Sequence, residues 1–164
     1  MGESNGELAY LIDSNIFLRV FVRSDEQKWE DCMTVLRAIT DKQIKAYIPL
    51  LVAIEVQFVL DSFYRFEKSQ VIEAIKNVIA TKNLQFIDDL SLEFATEIFD
   101  AKNIKFTDCL LASSKLIQEK KAAILSYDRD FDKLGVRRVE PRDLLKKSLI
   151  NKKDERMRKM YDCK

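Results

Sequence analysis

The chain has 164 residues, 47% apolar and 34% charged, with a formal net charge of +1, which suits one soluble domain with its own core and excludes a disordered chain. It contains no histidine, which excludes Ser-His-Asp and Cys-His catalysis, histidine-based ribonuclease chemistry and HExxH metalloproteases together. Only three glycines and two prolines occur, and neither GxGxxG nor GxxxxGKS/T is present, so a Rossmann dinucleotide site and a phosphate-binding P-loop are set aside as well.

Leu8 to Ile12 is a continuous apolar run that stops at Asp13 and reads as a buried strand. Asn15 to Val22 has helical character. Glu26 to Ile39 is a clearer amphipathic helix, with Trp29, Cys32, Met33, Leu36 and Ile39 recurring at three- and four-residue steps. Lys45 to Ile48 is a short strand, and Pro49 suits the first turn of a helix. That helix, Leu50 to Phe63, is apolar almost all round and is expected to be buried. Ser69 is placed as the cap of a helix whose stripe is Val71, Ile72, Ile75, Val78 and Ile79. Leu84 to Ile87 is a third strand, and Ser91 to Ala101 is a helix with Leu92, Ala95, Ile98 and Phe99 inward. Thr107 is expected to cap a helix running to about Glu119. Ala122 to Tyr127 is a fourth strand, Val136 to Val139 a short last one, and Pro141 starts a terminal helix. Strands alternating with helices predict an α/β domain around a mainly parallel sheet, with its site outside the carboxyl ends of the strands.

Acids fall where that fold would gather them. Asp13 follows the first strand directly, although capping the next helix would account for an Asp there equally well. Glu55 lies within LLVAIEVQFVL, with Leu51 and Val59 on the same helical face. A carboxylate on a buried helix is costly unless it is paired or binds a metal. Asp108 stands at a helix start, where the dipole favours negative charge. Asp128 and Asp130 sit in LSYDRDFDKL, immediately after the fourth strand, where Asp is also a common turn former. Together these residues offer hard oxygen donors, the ligand type of Mg²⁺ and Mn²⁺. Such an ion lowers the pKa of a bound water and clamps the attacking and leaving oxygens. Without it, clustered carboxylates repel and some hold protons.

The stretches LIDSNIFLRVF, IPLLVAIEVQFVL, FTDCLLASS and ILSYDRDFDKLG, in this order and spacing, resemble the PIN-domain nucleases, which include VapC-type toxins. The resemblance covers residues 8–145. It implies a three-layer α/β/α fold with a mainly parallel sheet. It also implies an endoribonuclease that uses Mg²⁺ or Mn²⁺ to hydrolyse RNA phosphodiester bonds, and it allows the toxin of a toxin–antitoxin pair. Carried over residue by residue, Asp13, Glu55 and Asp108 match the three most characteristic acids. The fourth matches Asp128, with Asp130 as the alternative, and all five are expected around the metal. Ser14, Asn15 and Thr107 match polar positions that support the acids by hydrogen bonding. Cys109 stands where the family often has Ala. RNA is the expected partner, and an antitoxin and a homodimer are further partners that the resemblance allows.

Cys32, Cys109 and Cys163 form no CxxC pair, and an odd, widely spaced set suits a reducing cytoplasm. Cys32 and Cys109 read as core residues. No apolar run approaches membrane-spanning length, so no membrane partner is expected, and the polar start MGESNGE does not read as a signal peptide. The nuclease-like domain is drawn over residues 1–145 and a basic tail over 146–164. From Lys146 to Lys164 eight basic residues stand against three acidic ones, a net of +5, which leaves −4 for the rest. Lys152, Lys153, Arg156, Arg158 and Lys159 are expected to hold RNA phosphates, although a solvated end is the plainer account of such a run.

Two other functions compete. A PIN-like RNA- or protein-binding module with little or no catalysis would be signalled by loss of an acid, and all four positions are filled. A phosphotransfer domain of the haloacid-dehalogenase kind would want DxD after the first strand, where this chain has Asp13-Ser14-Asn15.

Overall fold

The computed structural model describes residues 8–146; the expected phosphate-binding residues Lys152, Lys153, Arg156, Arg158 and Lys159 lie outside them. Five strands, β1 (Ala9–Ile12), β2 (Ala46–Pro49), β3 (Leu84–Ile87), β4 (Ala122–Leu125) and β5 (Arg138–Val139), form one sheet in the order β3-β2-β1-β4-β5. Every pairing is parallel. The central strands β1 and β4 read AYLI and AAIL and are buried almost throughout, the pattern of strands covered on both faces.

The helices are α1 (Ser14–Val22), α2 (Glu26–Thr40), α3 (Leu50–Phe58), α4 (Lys68–Ala80), α5 (Leu92–Ala101), α6 (Phe106–Ala112), α7 (Lys115–Gln118) and α8 (Asp130–Lys133). A π-helical turn, Val59–Phe63, continues α3, and residues 141–146 form a further helix. The main core joins Leu11, Ile12, Ile48, Ile124 and Leu125 of the sheet to Ile16, Phe17, Val35, Ile39, Val52, Val56 and Val78 of the first four helices. Each fully buried aliphatic or aromatic side chain there contributes roughly 1.5–3 kcal/mol. A smaller cluster under α5 and α6 holds Ala95, Ile104, Cys109 and Leu110. Both described cysteines are buried, free thiols, and burial pushes the Cys32 thiol up to about 12.

Several expectations change. The third helix is buried on one face only: Val52, Ala53 and Val56 point inward, while Leu50, Ile54, Phe58 and Phe63 are exposed by 61%, 56%, 62% and 75%. With apolar residues on both faces, periodicity could not separate the two. Ile72, Ile79, Leu92 and Phe99 also face outward. Ser69 does not cap α4. The helix begins at Lys68 with Glu67 as its cap, and Gln70 Oε1 accepts from Glu67 N at 2.9 Å, a reciprocal capping geometry that a lone serine cannot match. Thr107 lies inside the first turn of α6, which starts at Phe106. That helix stops at Ala112 rather than near Glu119. Ser113 Oγ bonds back to the Leu110 carbonyl at 2.7 Å, and Ser114 Oγ donates to Asp89 Oδ2 at 2.7 Å, so two serines offer the backbone an alternative to continuing the helix. β4 ends at Leu125, short of Tyr127, and β5 keeps only Arg138–Val139.

Candidate active site at the carboxyl ends of β1 and β4

The strand order places successive strands outward from β1 on one side and from β4 on the other. β1 and β4 therefore flank the topological switch point, where a parallel sheet leaves a crevice beyond its carboxyl ends. Their register pairs Ile12 with Leu125, so Asp13 and Ser126 leave the sheet side by side. The Asp13 amide still donates to the Leu125 carbonyl at 3.2 Å.

Asp13 is both the cap of α1 and the floor of this crevice, with one oxygen for each task. Oδ1 accepts from the Ser14 amide at 2.7 Å. Oδ2 accepts from Ser126 Oγ at 2.7 Å and from Asn15 Nδ2. Asn15 Nδ2 also donates to Ser126 Oγ at 2.7 Å, and Asn15 Oδ1 accepts from the Tyr127 amide at 3.4 Å. The Asp128 amide donates to Ser126 Oγ at 2.9 Å, and the Asp130 amide to Asp128 Oδ1 at 2.9 Å. Ser126, fully buried, is the residue that sequence reasoning missed. Its only sequence signal is a hydroxyl placed one position past the AAIL run and two before Asp128. Ser14 and Asn15 sit where expected, on Asp13. Thr107 is half-buried beside Asp108 and makes no side-chain hydrogen bond among the described residues.

The other acids converge on the same place. Asp108, in the first turn of α6, is buried, and its Oδ2 has no hydrogen-bond partner; Glu55 on α3 is half-buried with Oε2 buried and equally unpartnered. One carboxylate oxygen from each of Asp108, Asp128 and Asp130 lies within 4.8 Å of the others. Asp13 and Glu55 fall outside that trio but act on it through their charge. Burial, then the Glu55 and Asp128 charges, raises Asp13 to about 6 against the pull of its Ser126 and Ser14 bonds. Burial, then the charges of Asp13, Asp128 and Glu55, raises Asp108 to about 7, with Lys105 opposing. Asp130 differs from Asp128 in pairing with Lys133 Nζ. Buried carboxylate oxygens without a partner, as on Asp108 and Glu55, are costly by themselves. A hard divalent cation is the partner such a donor set fits.

A sequence model of the PIN domain matches residues 10–137, a span that runs from within β1 to the residue before β5 and holds every acid described above. The chain belongs to the PIN-domain family. This PIN domain is 25% identical over 134 residues to a protein named VapC ribonuclease from Aquifex aeolicus (strain VF5), a match covering 80% of this chain and 96% of that protein. Among solved structures it is similar to PAE2754 of Pyrobaculum aerophilum, with 15% identity and a TM-score of 0.59 over 85% of this chain and 94% of that one. It is also similar to VapBC2 of Rickettsia felis, a structure bound to a DNA fragment from their promoter, with 18% identity and a TM-score of 0.57 over 81% and 98%. At those identities the two structures speak to the fold, and they match the parallel, helix-covered PIN sheet found here.

Proposed function

We propose that this PIN domain is an endoribonuclease that uses Mg²⁺ or Mn²⁺ to hydrolyse RNA phosphodiester bonds, and that it is the toxin of a toxin–antitoxin pair. The observation that carries the reading is the convergence of Asp108, Asp128 and Asp130 within 4.8 Å, backed by the unpartnered oxygens of Asp108 and Glu55. The similarity to a protein named VapC ribonuclease supports the choice of RNA. Asp108 and Asp128 would hold the ion, with Asp13 and Glu55 completing its shell directly or through water. Asp128 is preferred to Asp130 as the fourth acid because its charge acts on both Asp13 and Asp108, whereas Asp130 is neutralised by Lys133. A divalent ion held there supplies an activated water and charge neutralisation for the phosphate. The chain's own residues do the rest. Ser14, Asn15 and Ser126 orient Asp13. The binding-module alternative is disfavoured because a scaffold has no need to keep four costly acids together.

The basic segment 146–164 is assigned to RNA phosphates through Lys152, Lys153, Arg156, Arg158 and Lys159, outside the PIN domain of residues 1–145. The exposed stripe Leu50, Ile54 and Phe58 on α3 is assigned to a second copy of the chain, because contiguous exposed apolar surface marks interaction sites. An RNA substrate and the buried free thiols of Cys32 and Cys109 support a cytoplasmic location. No helix among the described residues is long and apolar enough to cross a membrane.

The deciding experiment is RNA cleavage with Mg²⁺, Mn²⁺ or EDTA, comparing the unchanged chain with Asp13→Asn and Asp108→Asn. Cleavage should require the divalent ion and fall to background in both variants. Activity that survives EDTA, or that both variants retain, rejects the reading.

A further inference from the structure

A small cleft opens beside the acids and is not used by the chemistry above. It has a volume of about 140 Å³ and is lined by Asn15, Leu18, Arg19, Ser24 and Tyr64. Asn15 also donates to Asp13 Oδ2, so the cleft and the acid cluster share a wall.

Its cation is Arg19, which has no ion pair of its own among the described residues. Arg19 lies one turn after Asn15 on α1, half-buried, with its Cζ 5.8 Å from the centre of the Tyr127 ring. Among the described residues it makes no ion pair and no side-chain hydrogen bond. Three cations of adjoining elements are engaged: Arg23 with Glu26 at 2.6 Å, Lys28 with Asp25 at 3.5 Å, and Lys133 with Asp130. All five guanidinium N–H donors of Arg19 are therefore available to an anion. The ring beneath it is held by the turn that carries the acids, because Tyr127 lies between Ser126 and Asp128 and its amide donates to Asn15 Oδ1. What sets Asp128 thus also sets Arg19.

The facing wall is aromatic. Tyr64 is exposed and follows directly on the π-helical turn, its amide donating to the Val59 carbonyl at 3.1 Å. Its ring packs edge-on against Phe63 at 4.9 Å and Phe66 at 6.4 Å. π-turns are often kept at functional sites. A guanidinium without an ion pair and an aromatic ring lining one cleft are the pairing that binds single-stranded nucleic acid, phosphate on the cation and base on the ring.

We propose that the Arg19–Tyr64 cleft holds the nucleotide next to the scissile phosphate of single-stranded RNA, with Arg19 on its phosphate and Tyr64 stacked on its base. The proposal rests on the endoribonuclease reading and names the residues that position the strand against the acids.

The test is fluorescence anisotropy of a labelled single-stranded RNA of mixed sequence, over a range of salt and in Mg²⁺, on the full chain carrying Asp108→Asn to stop cleavage. Arg19→Gln keeps the stem that packs on Tyr127 and removes the charge. It should weaken binding about tenfold and reduce the slope of log Kd against log salt by about 0.7, the value of one phosphate neutralised on a single strand. Arg19→Lys should restore the slope. Tyr64→Ala should weaken binding about tenfold with the slope unchanged, and Tyr64→Phe should restore affinity. In the cleaving protein the same losses should appear in KM rather than kcat, with the melting temperature unmoved. If Arg19→Gln and Tyr64→Ala bind with parental affinity and slope while the parent cleaves RNA, the proposal fails and the ribonuclease reading stands. If the parent neither binds nor cleaves RNA, both fall. A loss in Arg19→Gln that comes with a lower melting temperature and an unchanged slope assigns the residue to packing and also overturns the proposal.

Discussion

Ser126 Oγ donates to Asp13 Oδ2 at 2.7 Å across 113 positions of sequence. The same oxygen accepts from Asn15 Nδ2 and from the Asp128 amide, so one buried hydroxyl ties together the ends of β1 and β4. Ser126→Ala would leave both of those donors without this acceptor and Asp13 without one of its own donors. Loss of an outer partner of a metal site typically costs 10–100-fold. Single-turnover RNA cleavage by Ser126→Ala should therefore fall by roughly 10–100-fold, with weaker Mn²⁺ affinity. Ser126→Thr, which keeps the hydroxyl, should lose less. Equal losses in the two variants would show that the hydroxyl is not what matters.

Stability without metal should carry the mark of the buried acids. Asp13 and Asp108 stand at about 6 and about 7, above the ordinary carboxyl value of 3.8. Between those values the folded protein holds more protons than the unfolded chain, so their contribution to stability falls as pH rises and is fully lost above about pH 7. In EDTA the melting temperature of the unchanged chain should drop further from about pH 5 to about pH 8 than that of Asp108→Asn. The variant should equal or exceed the parent at the upper end. An Asp108→Asn protein that is less stable throughout would make Asp108 a structural residue instead.

Metal should act in the opposite sense. A cation that binds only the folded state adds about 2.7 kcal/mol at one hundred times its Kd, and it must displace the protons held by Asp13 and Asp108. Saturating Mn²⁺ should raise the melting temperature, with the gain larger above about pH 7 than near pH 6. Calorimetric titration in two buffers of different ionisation enthalpy should register proton release. Asp108→Asn should blunt both signals, and a full response in that variant would place the ion elsewhere.

Leu50, Ile54 and Phe58 recur every four residues along the exposed face of α3. If they meet a second copy, Ile54→Lys should turn a dimer into a monomer by light scattering after gel filtration, without loss of Mn²⁺ binding. An unchanged chain that is monomeric at high concentration would contradict the assignment and leave the stripe to a different protein.

The basic segment beyond Lys147 allows a separate test. Its deletion should flatten the salt dependence of RNA binding by about 0.7 for each phosphate it had neutralised, while the Mn²⁺ response stays as it was. An unchanged slope would remove the segment from the RNA path.

Sheet and acids were legible from sequence for a common reason. Asp13 and Asp128 come just after apolar runs that form strands, and Glu55 is the one acid in α3, where Gln57 is the only other polar residue, so each stands out against its neighbours. Ser126 does not. A serine after a strand has no visible partner until β1 is known to lie beside β4, and that adjacency is a tertiary fact. The exposed half of α3 was hidden for the opposite reason, since apolar residues on both faces leave no contrast to read. Thr107 was placed as a cap because Lys105, which has no side-chain acceptor, does not look like one; that helix starts without a side-chain cap.

The two halves of the candidate site are held together across 113 positions of sequence. Asp13 is made before Ser126, and the strand that leads into Ser126 and Asp128 must slot in beside β1 after more than a hundred further residues, through parallel pairings that are slow to form because they close long loops. During translation, Asp13, Glu55 and even Asp108 emerge before β4 and cannot form the cluster. A chain that lacks residues 122–130 lacks two of the three acids that gather within 4.8 Å. The strand order makes the acid cluster a product of sheet closure: until β4 lies beside β1, no cluster exists.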